Sequence, residues 1–213
     1  MGGQGSTAAA TADKGGAVDT DEPVDQDKTA DRPMRADARR NYDRLVQAAK
    51  QVFTKYGGDA SMEAIAKEAG VGVGTLYRHF PKRINVVEAV YRTDVDQLTD
   101  AAVTVGRELG PWPALVAWLE AFVRYAHGKR TFLNELREAF DKNPQLKVAS
   151  RERIDRAMGA VLSRAQAAGV ARTDIDGADL MQLIGPMCTT AALSEDQSKR
   201  LLATVLDGLR LRT

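Results

Sequence analysis

The stretch VGVGTLYRHF, Val71 to Phe80, decides how this chain is read. It sets Gly72 and Gly74 on either side of Val73, then crowds Leu76, Tyr77, Arg78, His79 and Phe80 together. Directly before it, SMEAIAKEAG (61–70) has a helical period. Ser61 is a natural N-cap, Ile65, Ala66 and Ala69 share one face, and Gly70 is a natural stop. Leu76 and Phe80, four apart, give the next short helix an inward face, and Pro81 ends it. Two short helices joined by a turn of about three or four residues have helix-turn-helix spacing. In that motif the second helix enters the DNA major groove N-terminus first. Glycines at its leading end let backbone lie close to another surface, and amides there favour phosphate oxygens. Thr75, Tyr77, Arg78 and His79 project around one turn, and Lys82 and Arg83 follow as further phosphate contacts. The spacing alone fits an ordinary surface hairpin equally well.

Charge separates the two readings. The 213-residue chain has a formal net charge of +1, but the balance is uneven. Residues 1–34 hold 3 basic and 7 acidic side chains, whereas residues 35–83 hold 10 and 5; the remainder balances at 17 and 17. A basic segment inside a near-neutral chain marks a nucleic-acid face.

Residues 1–34 are rich in Ala, Gly, Asp and Thr, offer little to bury, and are expected to be a disordered tail. Organised sequence starts directly after Met34, which makes Met34 an alternative translational start. From Ala36, Tyr42, Leu45, Val46, Ala49, Val52, Phe53 and Tyr56 follow the helical period to Gly57. A long helix is expected from Lys82 to Gly106. Further helices are expected over 113–128, 131–142, from Asn143 to Gly169, from Asp176 to about Leu193 with a kink at Pro186, and after Ser194. No window alternates with period two for long. The prediction is an all-α chain of about nine helices: an N-terminal three-helix bundle with the helix-turn-helix (35–83), then a helical effector-binding and dimerisation domain (84–213).

The run RRNYDRLVQAAKQVFTKYGGDASMEAIAKEAGVGVGTLYRHFPKR (39–83) resembles the DNA-binding domain of TetR-type transcriptional regulators, above all in GTLYRHFPKR. AWLEAFVRYAHGKR, SRAQAAGVARTDIDGADLMQLIGP and LLATVLDGLR resemble the subgroup with an SbtR-like C-terminal domain. The resemblance implies that Ser61 caps the second helix and touches phosphate, and that Gly72, Val73 and Thr75 lead the reading helix. It implies that Tyr77 and His79 contact backbone or base, that Arg83 stands where the family has a basic residue at the start of the fourth helix, and that Arg39 and Arg40 reach the phosphate or minor groove from just before the first helix. Val73 departs from the longer polar side chain frequent there and offers only apolar contact, such as with a thymine methyl.

A homodimer on a palindromic operator follows from the same resemblance, with repression as the family's common mode. The last two helices carry the candidate interface, Leu180, Ile184, Leu202, Val205 and Leu209. An unidentified small organic effector is expected between the middle helices, near Trp118, Phe122, Tyr125, Phe132, Leu136, Phe140, Met158 and Met187. The lone Cys188 sits among apolar neighbours and reads as a buried, inert thiol. No phosphate loop, His/Cys cluster or nucleophile elbow is present, so neither catalytic residues nor a metal or cofactor site is expected. His127 reads as a helix-end residue. No apolar run reaches membrane-spanning length and no signal-peptide core is evident, so a cytoplasmic location is expected. The rival reading is a helical adaptor that binds protein partners and not DNA.

Overall fold

In the computed structural model, the described residues are 27–189 and 193–211, with side chains described over 37–186 and 193–211. They form nine α-helices: α1 (Asp27–Tyr56), α2 (Met62–Glu68), α3 (Val73–His79), α4 (Arg83–Glu108), α5 (Pro111–Gly128), α6 (Leu133–Lys142), α7 (Pro144–Ala167), α8 (Gly177–Thr189) and α9 (Glu195–Leu209). Among the described residues no strand occurs; a single bridge pairs Ala171 with Arg210. Contacts divide the chain into Met1–Asp37 and Ala38–Thr213, and the helical bundle, its seams and its cavities belong to the second unit. Residues 1–26 of the expected tail lie outside the described residues. Residues 27–34, also assigned to the tail, are helical. Lys28, Ala30, Arg32 and Met34 are good helix formers although they offer a core little, whereas Asp27, Thr29, Asp31 and Pro33 are poor ones.

The helix ends follow local chemistry. Ser61 Oγ accepts the Ala64 amide at 3.0 Å and starts α2. Gly70 ends it with φ 66°, a left-handed conformation that favours glycine. The amides of Gly70 and Val71 turn back to Lys67 O and Ala66 O, the paired bonds of a Schellman stop. Asn143 caps α7 ahead of Pro144, Asp176 Oδ1 accepts two amides of α8, and Ser194 caps α9. A 3-10 turn, Lys129–Phe132, separates α5 from α6, so α6 starts two residues later than its period implies. Pro186 lies inside α8, described over Gly177–Thr189; the expected end near Leu193 falls beside residues 190–192, which lie outside the described residues.

α4 organises the molecule. It packs against α5, α6 and α7 and buries Val86, Val87, Val90, Tyr91, Val95 and Leu98. Trp118, fully buried on α5, donates its Nε1 to Leu98 O at 3.0 Å, holding the two helices in register. Lys50 of α1 reaches the buried Asp94 of α4 at 2.5 Å. Burial pushes the Asp94 carboxyl up, and Lys50 opposes that shift.

In the N-terminal bundle, Leu76 is fully buried and Phe80 is 3% exposed. The Phe80 ring lies 5.2 Å from that of Tyr42 on α1. Truncating Phe80 therefore empties the seat of α3. Urea denaturation of Phe80→Ala should show a loss of about 3–5 kcal/mol, the usual cost for a buried aromatic.

Candidate nucleic-acid interface

The turn between α2 and α3 aims α3 outward. Gly72 opens α3 in an extended conformation, φ −68° and ψ 145°, and its carbonyl accepts the amides of Thr75 and Leu76. With Leu76 and Phe80 turned inward, the opposite side is free. Val73 (39%) and Tyr77 (42%) are exposed, as are Gly72, Gly74 and Arg78, while Thr75 is half-buried. Residues 73, 74, 77 and 78 are neighbours at helical spacing and make one outward patch. A Cβ added at Gly72 or Gly74 would meet nothing within 4 Å. Neither glycine has positive φ. So nothing inside the protein requires glycine at either place, unlike Gly70.

Other expected contact residues are placed differently. His79 is half-buried, its ring 6.3 Å from those of both Tyr42 and Phe80. It supports the patch from the side. Arg39 and Arg40 lie within α1 rather than before it, both exposed. Arg39 sits one turn ahead of Tyr42 and forms a loose, exposed pair with Asp43 at 3.9 Å. Ser61 is exposed at the start of α2 and Lys82 is exposed at the start of α4, where its amide donates to Asn85 Oδ1 at 3.1 Å.

Arg83 is the principal correction. Its Nη1 donates to Ala60 O, and its Nη2 donates to Gly58 O at 3.2 Å and to Glu135 Oε1 at 3.0 Å. The guanidinium also lies 5.2 Å from the Phe53 ring centroid. A planar fork committed to two carbonyls and a carboxylate has little left for phosphate. Arg83 instead clamps the end of α1 and the start of α4 to α6. The same seam brings Gly57 against Thr131, whose carbonyl lies 3.2 Å from where a Gly57 Cβ would stand, and Phe53 against Phe132 at 5.2 Å.

Three of the expected effector residues share a cavity. Phe122, Tyr125 and Phe140 line a space of about 280 Å³, with Tyr91, Ile154 and Met181. Phe132 belongs to the seam with Phe53. Trp118 stands behind Phe122, stacked at 5.9 Å, and Leu136 and Met158 are buried in the core without lining this cavity. The side chains of Met187 and Cys188 lie outside the described residues.

The candidate dimer residues are mostly covered within one chain. Leu180 and Ile184 are fully buried, Leu202 and Leu209 nearly so, all within one chain, and Val205 is half-buried. The exposed leucines of these helices are Leu183 (54%) and Leu201 (40%). His127, near the end of α5, shares a 2.9 Å hydrogen bond with Ser198 of α9. Burial and then Arg130 hold its pKa below the usual histidine range. Among the described residues no helix is long and apolar enough to cross a membrane, and no cluster suited to a metal occurs.

Residues 45–90 match the family profile "Bacterial regulatory proteins, tetR family", and residues 110–211 match "Transcriptional regulator SbtR-like, C-terminal domain". A crystal structure of a TetR transcriptional regulator from Streptomyces coelicolor is 39% identical, covers 81% of this chain and 99% of its own, and superposes with a TM-score of 0.72. The chain belongs to the TetR family of transcriptional regulators. A TetR transcription regulatory protein from Mycobacterium vanbaalenii is 33% identical over 84% of this chain and 100% of its own, with a TM-score of 0.67. HTH-type transcriptional regulators of Staphylococcus aureus are 42% identical over 64 residues, 30% of this chain. That match spans only 35% of the length of those curated relatives. This regulator is thus of the DNA-binding helix-turn-helix type.

Arg83 and Arg78 should separate cleanly in thermal and urea melts. Arg83→Ala strands two carbonyls and Glu135 and should cost about 1.5–3 kcal/mol. Arg78→Ala, on the open patch, should stay within about 0.5 kcal/mol of the parent. Equal melts for the two variants would contradict the clamp.

Proposed function

We propose that this regulator binds a palindromic operator as a homodimer, represses transcription there, and is released by a small organic effector. The observation that supports the DNA face best is the pair Gly72 and Gly74. Since the protein's own packing and backbone leave room for side chains there, the demand for glycine comes from an outside surface that approaches closely. In this reading Gly72, Val73, Gly74 and Thr75 lie against bases and phosphates, and Tyr77 and Arg78 follow along the groove. Arg39, Arg40, Ser61 and Lys82 flank them as backbone contacts. His79 positions the helix, and Arg83 holds its base. Function divides between a DNA-binding part over 35–83 and an effector and dimerisation part over 84–213.

Dimerisation uses the outward faces of α8 and α9, where Leu183 and Leu201 stand exposed. It presents two copies of α3 to half-sites about 34–36 Å apart. Release works through α4 and α6. Tyr91 and Phe140 meet edge-on at 5.2 Å in the cavity wall, and Arg83 and Glu135 join the same two helices at the DNA-facing end. An effector that moves Tyr91 and Phe140 apart acts directly on that clamp. It needs only to bind the released conformation more tightly, and by linkage DNA then weakens effector binding by the same factor.

Gly74→Ala tests the DNA face without threatening the fold. Alanine favours a helix over glycine by about 1 kcal/mol, so the variant should melt at or above the parent temperature. Its affinity for duplex DNA upstream of its own gene should fall, as should that of Arg78→Ala, with a shallower salt dependence for the arginine variant. Undiminished DNA affinity in both variants would sink the proposed face.

Sedimentation at micromolar concentration should give twice the 23.1 kDa chain mass. The double variant Leu183→Asp/Leu201→Asp should sediment as a folded monomer, whereas Leu180→Asp, inside the core, should lose its cooperative melt. A monomeric parent chain contradicts the dimer.

A further inference from the structure

The cavity between α4, α5, α6, α7 and α8 has a chemistry of its own. Its floor is apolar and deep: Tyr91, Phe122 and Met181 are each at most 5% exposed. Apart from the hydroxyls of Tyr91 and Tyr125, its polar lining is cationic. Lys129 and Lys147 stand there with Arg151, and no lining residue is acidic. Lys147 and Arg151 are exposed while Lys129 is half-buried, so these side chains form the rim over the aromatic floor. The Lys129 ammonium lies 4.7 Å from the Tyr125 ring centroid. Arg151 Nε faces both Asp155 oxygens at 2.8 Å. That pair is on the surface, with side chains 55% and 44% exposed, and exposed i,i+4 pairs hold their partners weakly. Lys147 has no ion-pair partner among the described residues. The larger cleft between α5 and α9, about 560 Å³, differs in this respect: Glu120 and Glu195 stand there beside Arg124 and Lys199. It favours neither sign.

We infer that the cavity lined by Tyr91, Phe122 and Phe140 beneath Lys147 and Arg151 binds an amphipathic organic carboxylate, a single aromatic ring or short acyl chain whose anionic end meets the cationic rim. The apolar part replaces water against the floor, and the carboxylate receives charge-assisted hydrogen bonds from side chains that already face solvent. A volume of about 280 Å³ is at the small end for ligand sites, which suits one ring or a short chain rather than a polycyclic compound. The regulatory meaning of this binding rests on the proposed effector role of the cavity; the ligand chemistry stands on the cavity itself.

Calorimetric titration of the full chain with phenylacetate and octanoate tests this, with phenylacetamide, phenethylamine and inorganic phosphate as comparisons. The carboxylates should bind at millimolar concentration or below, raise the melting temperature, and exceed the amide by about ten- to hundredfold, the range for hydrogen bonds to charged groups. The double variant Lys147→Ala/Arg151→Ala should erase most of that margin while keeping the unliganded melt and the amide affinity. Equal binding of the amide or the amine, binding of phosphate alone as tightly as the carboxylates, or no carboxylate binding overturns the inference. So does a margin that survives the double variant. Fluorescence anisotropy of bound DNA in the same titration separates the ligand site from its regulatory role: carboxylate binding that leaves DNA affinity unchanged upholds the anion site and overturns its role as effector site.

Discussion

The guanidinium of Arg83 is the constraint on which the arrangement depends. The chain leaves α1 through Gly57, in the left-handed region at φ 55°, and the following turn exposes carbonyls at Gly58 and Ala60. One planar cation satisfies both, pairs with Glu135 and covers Phe53. Its side chain is 29% exposed and that of Glu135 20%, so neither charge is free to relax fully into water, and each needs the other. A lysine would bring a point charge in place of the fork and could not serve three acceptors in one plane. The result is that the turn after α1, the start of α4 and the start of α6 are tied into one piece. α3 packs on α2 and, through Phe80, against Tyr42 of α1, so its orientation follows from that piece.

The same piece connects the two halves of the regulator. α4 carries Arg83 at one end, Tyr91 in the cavity wall and Leu98 beyond it, where Trp118 holds its carbonyl. α6 carries Glu135 and Phe140 little more than one turn apart. A change at the cavity wall thus has a short route to the clamp through two rigid helices, without passing through a loop. Asp94, buried beside Lys50, adds a second tie between α1 and α4. Because removing one partner from such a pair leaves a buried charge uncompensated, the tie restrains sliding of α4 along α1 more than it adds net stability.

Much of the DNA-binding half was legible from local rules. Ser61 as a cap, Gly70 as a left-handed stop and the inward pair Leu76 and Phe80 each depend on residues within one turn, and the structure has all three. What was hidden depends on distant partners. Arg83 follows a reading helix and looks like a phosphate contact until Glu135, 52 residues on, is seen beside it. His79 looks exposed in sequence because its neighbour Tyr42 lies on another helix. Leu180, Ile184, Leu202 and Leu209 form a stripe that looks the same whether the chain or a second copy covers it; here the chain covers it, and Leu183 and Leu201 lie one step off the stripe. Phe132 looks like a cavity residue in sequence, but a 3-10 turn, which has no amphipathic period to read, directs it toward Phe53. The cationic rim is only half legible in sequence: Lys147 and Arg151 lie one turn apart on α7, but Lys129 joins them from the 3-10 turn after α5.

The most direct test of the central claim, that a clamped α3 is presented to DNA twice by a pair of chains, is a hydroxyl-radical footprint of the full-length regulator on DNA upstream of its own gene. The account predicts two protected windows on one face of the duplex, centred about one helical turn or a small multiple of it apart. A single protected window, protection spread evenly along the duplex, or no protection at concentrations where the protein is dimeric would contradict it.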